Sequence, residues 1–244
     1  MDTYDTKKWQ ITGDGLLEAY TGNEECVKIP KGVSSIGYEA FGECKNIKEI
    51  FIPDTVTSSE DTFNSYKTLE AITVSENNRY FSSWEGVLFN GGETELLCFP
   101  KSKKCHIYEI PKGTLYIGEE SFAGSSIKKI IIPHTVKIIR DWAFEKCRET
   151  EEIILGDGVE EIGESAFEYC YSLKNIIIPE GVSVIGEYAF GGCLSLTEIK
   201  LPQSLEYINP QAFSDCAGLR KLLFPKHLKD TEIILPENCR ITEY

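Results

Sequence analysis

Cysteine and histidine are the residues of this sequence that could do the most chemistry, and the chain has nine Cys and three His. Cys98, Cys105 and His106 lie within one short stretch. Two cysteines could form a disulfide, and Cys with His could bind zinc, which needs about four convergent ligands. The other histidines, His134 and His227, are far from this stretch in the sequence. We therefore expect no metal site. Cys98 and Cys105 could either form a disulfide or remain as two thiols.

Motifs for catalysis are missing from the sequence. It contains no P-loop, G-x-S-x-G, H-E-x-x-H, dinucleotide-binding G-x-G-x-x-G or EF-hand loop. Adjacent carboxylates could act as a general acid and base, and Glu151-Glu152 and Glu160-Glu161 are such pairs. These pairs recur at a regular spacing, which is typical of a solvated strand face. The sequence therefore predicts a protein that is not an enzyme and needs no cofactor.

The charge balance argues against two classes of partner. Asp and Glu number 39 against 25 Lys and Arg, which gives a formal net charge of −14. Nucleic acids and anionic membrane surfaces need clustered basic residues, so we expect neither as a partner. No apolar run reaches the roughly 20 residues of a membrane-spanning helix, so we expect no membrane insertion. The first five residues lack a basic and an apolar segment, so no signal peptide is predicted there.

A repeat of 22 or 23 residues organises the chain. One half of the repeat alternates apolar and polar residues and ends in proline, as in Leu173-x-x-Ile176-x-Ile178-Pro179. Such alternation is typical of a short strand, which the proline ends because it has no N–H to donate. The other half is Ala-Phe-x-x-Cys, and its regularly spaced cysteines are Cys147, Cys170, Cys193 and Cys216.

A single copy of this repeat cannot enclose a core. Stacked copies can, because each Phe, Ile and Leu then contacts its counterpart in the next copy. The sequence therefore predicts a solenoid whose strands form a parallel sheet. Cysteine at one recurring position usually acts as a small buried hydrophobe, so we expect these cysteines to be buried, reduced thiols.

The repeat resembles the BspA-type leucine-rich repeat, L-x-x-I-x-I-P-x-x-V-x-x-I-G-x-x-A-F-x-x-C. Residues 173–193 match it at nearly every position, and the resemblance covers about residues 26–236. The resemblance implies the α/β repeat class to which the family belongs, with a secondary-structure content that is mostly β. The implied fold is a right-handed solenoid with a parallel concave β-sheet and short turns or 3-10 segments on the convex side. The resemblance also implies bacterial surface proteins of adhesion and host-protein binding, without binding residues common to the family.

Departures from the repeat divide the chain. We expect residues 1–25 to form an N-terminal cap with a β-hairpin and residues 26–75 to form the first repeats. Residues 76–105 hold two apolar stretches around an Asn-Gly-Gly turn signal, which predicts an irregular hairpin insert. Regular repeats follow over residues 106–225, and residues 226–244 are expected to cap the C-terminus. We expect all these parts to belong to one continuous solenoid domain.

The strand register predicts a binding surface. In L-x-x-I-x-I-P the two Ile point inward, so the residue between them faces the concave side, where solenoids bind partners. The three consecutive isoleucines at this position predict an apolar stripe beside charged residues such as Lys174 and Arg220. Alternatively, isoleucine stands there only because it favours strands and the repeat was duplicated. The residues at this position are Phe51, Thr73, Ile131, Ile154, Ile177, Lys200 and Leu223.

The hairpin insert is a second candidate surface. Its aromatic side chains could hold a partner, and the alternative is that they pack beneath their own hairpin. They are Tyr80, Phe81, Trp84 and Phe89.

These observations predict a monomeric interaction module that binds a protein, a peptide or a glycan through its concave face. The resemblance adds adhesion as a role and the cell surface or secretion as a location. A structural repeat spacer, or a cytoplasmic scaffold that self-associates, is the alternative, which the missing signal peptide keeps open.

Overall fold

A computed structural model describes residue 5, residues 7–60 and residues 63–244. The described residues form short strands joined by turns, and their one helical segment is the 3-10 helix Lys226–Leu228. The chain divides into two compact units, Met1–Lys104 and Cys105–Tyr244, called here the N-terminal and the C-terminal unit. In each unit, parallel strands from successive repeats pair in register. The predicted solenoid of leucine-rich repeats is thereby confirmed.

The C-terminal unit contains two series of strands. Its first series comes from the L-x-x-I-x-I segments, and the outward side of these segments is called here the strand face. These strands are Ile107–Glu109, Lys129–Ile131, Glu152–Ile154, Glu198–Lys200, Lys221–Phe224 and Arg240–Glu243. The second series forms a ladder of two-residue strands, with one from each V-x-x-I segment. Its strands are Tyr116–Ile117, Ile138–Ile139, Glu161–Ile162, Val184–Ile185 and Tyr207–Ile208.

The strand series on the strand face is interrupted once. Its first three strands pair with each other, and so do its last three. The intervening copy, residues 173–178, holds only an isolated bridge between Asn175 and Glu152. The prediction of a strand is therefore wrong for this copy, although the copy matches the consensus of the repeat best. The second ladder of the C-terminal unit stays continuous at this copy, because Val184–Ile185 pairs with the strand on each side of it.

The N-terminal unit has the same two series and an added hairpin region. Three strands from L-x-x-I-x-I segments pair in parallel. They are Cys26–Lys28, Glu49–Ile52 and Ala71–Val74. A second sheet begins with an antiparallel pair and continues in parallel. Its strands are Trp9–Ile11, Leu16–Tyr20, Ser35–Ile36 and Ser58–Ser59.

The hairpin region of the N-terminal unit consists of three antiparallel strands, Phe81–Trp84, Val87–Asn90 and Glu95–Cys98. Glu85 and Gly86 join the first two strands, and both have positive φ, at 50° and 78°. Two such residues form the tight hairpin turn that matches strand twist. A Cβ on Gly86 would also lie 2.9 Å from the Ala71 Cβ, so glycine is required there for two reasons.

A column of stacked phenylalanine rings forms the centre of the C-terminal unit. The rings of Phe144 and Phe167 lie 5.2 Å apart and 4° from parallel, and both side chains are fully buried. The spacing is 4.8 Å at the Phe122 end and 5.4 Å at the Phe213 end. These distances match the roughly 4.8 Å between neighbouring strands, so the rings and the strands of the ladders repeat with the same spacing.

The repeated cysteines run beside this column. Each thiol donates a hydrogen bond to the carbonyl oxygen of a phenylalanine in the preceding coil. The Sγ–O distances are 3.1 Å for Cys147 to Phe122, 3.2 Å for Cys170 to Phe144, 3.2 Å for Cys193 to Phe167, and 2.9 Å for Cys216 to Phe190. The cysteine therefore fills a small apolar space and also satisfies a buried carbonyl of the turn.

All nine cysteines lie in the described part of the chain and none of them is in a disulfide, so Cys98 and Cys105 are not bonded to each other. Burial raises the pKa of the thiols of Cys170, Cys193 and Cys216. The pKa of Cys216 is raised to about 12, and those of Cys170 and Cys193 also lie well above the ordinary value. A raised pKa keeps these thiols protonated at neutral pH, and hence unreactive.

Two polar residues replace apolar ones inside the first coil of the C-terminal unit. Thr114 occupies the repeat position of Val136, and Ser121 occupies that of Ala143. Both are fully buried, and neither side-chain oxygen has a hydrogen-bond partner among the described residues. A buried hydroxyl without a partner destabilises the folded state, because it gives up its hydrogen bonds with water.

We expect substitution of Phe167 or Phe190 by Ala to lower the free energy of unfolding by roughly 3–5 kcal/mol, the usual cost of truncating a buried aromatic. Each ring contacts a ring on both sides, so the cavity cannot close without moving a coil. Chemical denaturation followed by circular dichroism measures the loss. The exposed Tyr207 provides a control, and Tyr207→Ala should change stability little. Equal losses in all three variants would contradict the stacked column.

We expect Thr114→Val and Ser121→Ala each to raise the free energy of unfolding by about 1 kcal/mol, because each removes an unpartnered buried hydroxyl. Thr150→Val is the matched control, since the buried Thr150 hydroxyl donates a 2.7 Å hydrogen bond to the Ile127 carbonyl. That variant should be destabilised. Thermal unfolding of the three variants would contradict the assignment if Thr114→Val lost as much stability as Thr150→Val.

Alkylation should separate the cysteines into two classes. A pulse of iodoacetamide at pH 8 should label the exposed Cys26 first, while Cys170, Cys193 and Cys216 should react only in denaturant. Burial and the raised thiol pKa act in the same direction here, because each lowers the accessible thiolate. Peptide mapping by mass spectrometry identifies the labelled sites. Rapid labelling of Cys193 in the native protein would show that the repeated cysteines are not in the core.

Candidate functional site

The strand face of the C-terminal unit places the predicted stripe residues in one row. Ile131 pairs in register with Ile154, and Lys200 pairs with Leu223. The neighbours Ile130, Ile153, Ile199 and Leu222 are buried. The residue between the two inward positions therefore lies outside the core in each copy. Ile131 and Leu223 are half-buried, whereas Ile154 is 40% exposed.

Ile177 is the most exposed large apolar residue of the strand face, at 84%. Its copy does not form a strand, so the side chain stands away from its neighbours while Ile176 and Ile178 remain buried. A groove of 420 Å³ lies beside it. The groove is lined by Ile177, Lys174, Asn175 and residues 151–155. Sequence reasoning predicted the exposure of Ile177 but gave no sign of this groove.

Ion pairs between successive coils border the stripe. The carboxylate of Glu151 accepts a hydrogen bond from Lys174, which lowers the pKa of Glu151. These pairs neutralise most of the charges that flank the three isoleucines. The N–O distances are 2.8 Å for Lys129–Glu152, 2.6 Å for Lys174–Glu151 and 2.8 Å for Lys221–Glu198.

The C-terminal end of the strand face differs, because Arg220 and Arg240 form no ion pair there with a carboxylate of the described residues. The strand Arg240–Glu243 pairs with Lys221–Phe224 and places Arg240 next to Lys221. A cavity of 630 Å³ lies over these strands, and Arg220 and Arg240 are among its lining residues. The sequence predicted Arg220 as a flanking charge and assigned Arg240 only to a polar cap. The copy containing Arg240 is shortened, so the repeat spacing did not reveal its register.

The remaining predicted residues belong to the N-terminal unit. Phe51 is half-buried on the strand Glu49–Ile52 and pairs with Thr73. In the hairpin region, Tyr80 and Trp84 are 55% and 59% exposed. Phe81 and Phe89 are buried, so the four aromatic residues divide between the surface and the core of this unit. Tyr80 and Trp84 alone could contact a partner there.

Metal and membrane sites were also sought in the described residues. No group of three or more His, Cys, Asp or Glu side chains within them could hold a metal ion. Residues 5, 7–60 and 63–244 include no helix of the length and apolar character required to cross a bilayer.

Comparison with known proteins identifies the repeat. A family model described as the BspA-type leucine-rich repeat region matches residues 19–87 and 94–220, in six copies. The chain belongs to the BspA-type leucine-rich-repeat family. This confirms the resemblance that the sequence suggested.

Solved structures of bacterial leucine-rich-repeat proteins resemble this BspA-type chain. A leucine-rich cell surface protein from Faecalibacterium prausnitzii A2-165 is 30% identical, with a TM-score of 0.72 over 79% of this chain and 52% of its own. The pneumococcal vaccine antigen PcpA is 22% identical, with a TM-score of 0.59 over 87% of this chain and 49% of its own, which shows the fold alone. This chain thus spans about half the length of each. No curated protein sequence matches it.

Proposed function

We propose that this protein is a non-enzymatic interaction module that holds a polypeptide partner on the strand face of its C-terminal unit. The observation that carries the proposal is the exposure of Ile177 and Ile154 beside a groove. Apolar side chains bordered by polar ones are typical of protein-binding surfaces. Burying one isoleucine side chain contributes roughly 1.5–3 kcal/mol, which is about tenfold or more in affinity.

A polypeptide fits this surface better than a glycan does. The exposed stripe is aliphatic, and the aromatic side chains on which sugar rings stack are missing from the stripe positions of the C-terminal unit. Aliphatic residues instead provide pockets for the apolar side chains of a peptide. The similarity to a bacterial cell surface protein supports display at a cell surface, and adhesion is the role we propose there.

The proposal is tested by a binding screen against extracellular matrix proteins, plasma proteins and glycans, run with the wild type and with Ile177→Glu. We expect a protein ligand whose affinity falls at least about tenfold in the variant, because a buried carboxylate would replace an apolar contact. Leu194→Glu is the matched control. Leu194 is also an exposed apolar residue of this unit but lies outside the strand face.

Stability and mass measurements accompany the screen. Both Glu variants should unfold at the wild-type temperature, because the replaced side chains are exposed. Failure to bind any protein, or equal binding by wild type and Ile177→Glu, would contradict the proposal. A mass that rises with concentration and falls back in Ile177→Glu would instead assign the stripe to self-association.

A further inference from the structure

The last three strands of the strand face bring basic side chains into one row. Glu198 pairs in register with Lys221, and Lys221 pairs with Arg240. Equivalent side chains of neighbouring strands point the same way. Arg220 precedes Lys221 in the chain and lines the same 630 Å³ cavity as this row. Three basic residues therefore surround one cavity in a chain whose formal net charge is −14.

These basic groups keep unused hydrogen-bond donors. Lys221 forms an ion pair with Glu198 at 2.8 Å. Arg220 donates from Nη1 to the carbonyl oxygens of Ala217 and Leu219, at 2.7 and 3.2 Å, which fixes the guanidinium and leaves its other N–H groups available. Arg240 forms no ion pair with any carboxylate of the described residues. Glu198 is thus the one acidic residue of the lining against three basic ones.

The other lining residues strengthen the preference for an anion. Thr197, Thr242 and Asn238 contribute hydroxyl and amide groups that can donate hydrogen bonds. A fixed guanidinium beside such donors suits a carboxylate, because an arginine can bind both oxygens at once.

We propose that this basic end of the strand face binds acidic residues of the same polypeptide whose apolar residues occupy Ile154 and Ile177. This inference rests on the proposed function and names the class of partner. The stripe continues from Ile177 through Lys200 and Leu223 to Thr242, in successive coils. Lys200 also lies along this path, where its ammonium pairs with Glu180 at 3.6 Å.

The spacing of the coils determines how far apart the apolar and the acidic segments of the partner lie. The phenylalanine rings place neighbouring coils 5.2 to 5.4 Å apart. Three such steps lead from the coil of Ile177 to that of Arg240. This distance of about 16 Å corresponds to about five residues of extended peptide. The expected ligand has an apolar segment followed, about five residues away, by two or more carboxylates. An acidic glycan would match the basic end but not the isoleucines.

Two synthetic peptides test this inference. Both begin with Leu-Ser-Leu-Ser-Leu and a Gly-Ser-Gly linker; one ends in four Glu and the other in four Lys. Fluorescence anisotropy of labelled peptides measures the dissociation constant for the wild type and for Arg220→Glu/Arg240→Glu. We expect the Glu peptide alone to bind, and the double variant to raise its dissociation constant about tenfold, because two exposed charge contacts are reversed.

Lys112→Glu/Lys229→Glu is the matched control, since it changes net charge equally at exposed lysines outside the cavity lining. It should bind the Glu peptide as the wild type does. Equal binding of the two peptides, equal loss in both double variants, or no binding of the Glu peptide at about 1 mM would overturn the inference. Heparin binding that needs Arg220 and Arg240, without peptide binding, would overturn it in favour of an acidic glycan.

The screen with Ile177→Glu separates this inference from the proposed function. A protein ligand lost in Ile177→Glu but bound normally by Arg220→Glu/Arg240→Glu would leave the proposed function standing and refute the acidic partner. Loss in both variants, with Leu194→Glu and the lysine control unaffected, would support both.

Discussion

The stacking of one phenylalanine on the next sets the geometry of the C-terminal unit. Its rings repeat at 4.8 to 5.4 Å, which is also the spacing of hydrogen-bonded strands. The cysteine thiols reinforce this spacing, because each bonds a turn carbonyl of the preceding coil. Once the pitch is fixed on the inside, equivalent outward residues must form rows with the same spacing. The surface rows therefore depend on a core contact that no ligand could reach.

The copy at residues 173–178 shows how firmly the two sides of a coil are separated. Phe167, Phe190 and Phe213 stack without a break past this copy, and the second ladder also continues. On the strand face, the same copy forms only a single bridge. The ring column thus holds the coil in place while its outer segment leaves the sheet. This freedom explains why Ile177 is more exposed than Ile154, although the two occupy the same repeat position.

The repeat made the core predictable and left the surface only partly so. Regular spacing placed Phe144, Phe167 and the repeated cysteines inside, because a buried position accepts few residue types. The break at Ile177 could not be predicted, since its copy follows the consensus that elsewhere gives a strand. Non-glycine residues with a positive φ were also difficult to predict. Lys146 and Tyr169 have a φ of 59°, a conformation that sequence reasoning assigns to glycine. Nothing within these two copies indicates a positive φ, and only the glycines at the same repeat position in other copies, Gly124 and Gly192, point to it.

Net charge does not locate charges on the strand face for a related reason. The acidic excess of the chain argued against nucleic acids and anionic membrane surfaces as partners, and that excess is a sum over the whole surface. On the strand face, glutamates form ion pairs with lysines of the neighbouring coil, as in Lys174–Glu151 and Lys221–Glu198. Arg240 pairs in register with Lys221 instead of a glutamate, so this pattern gives Arg240 no carboxylate partner among the described residues. Basic side chains therefore lie side by side at Lys221 and Arg240, although the chain as a whole is acidic.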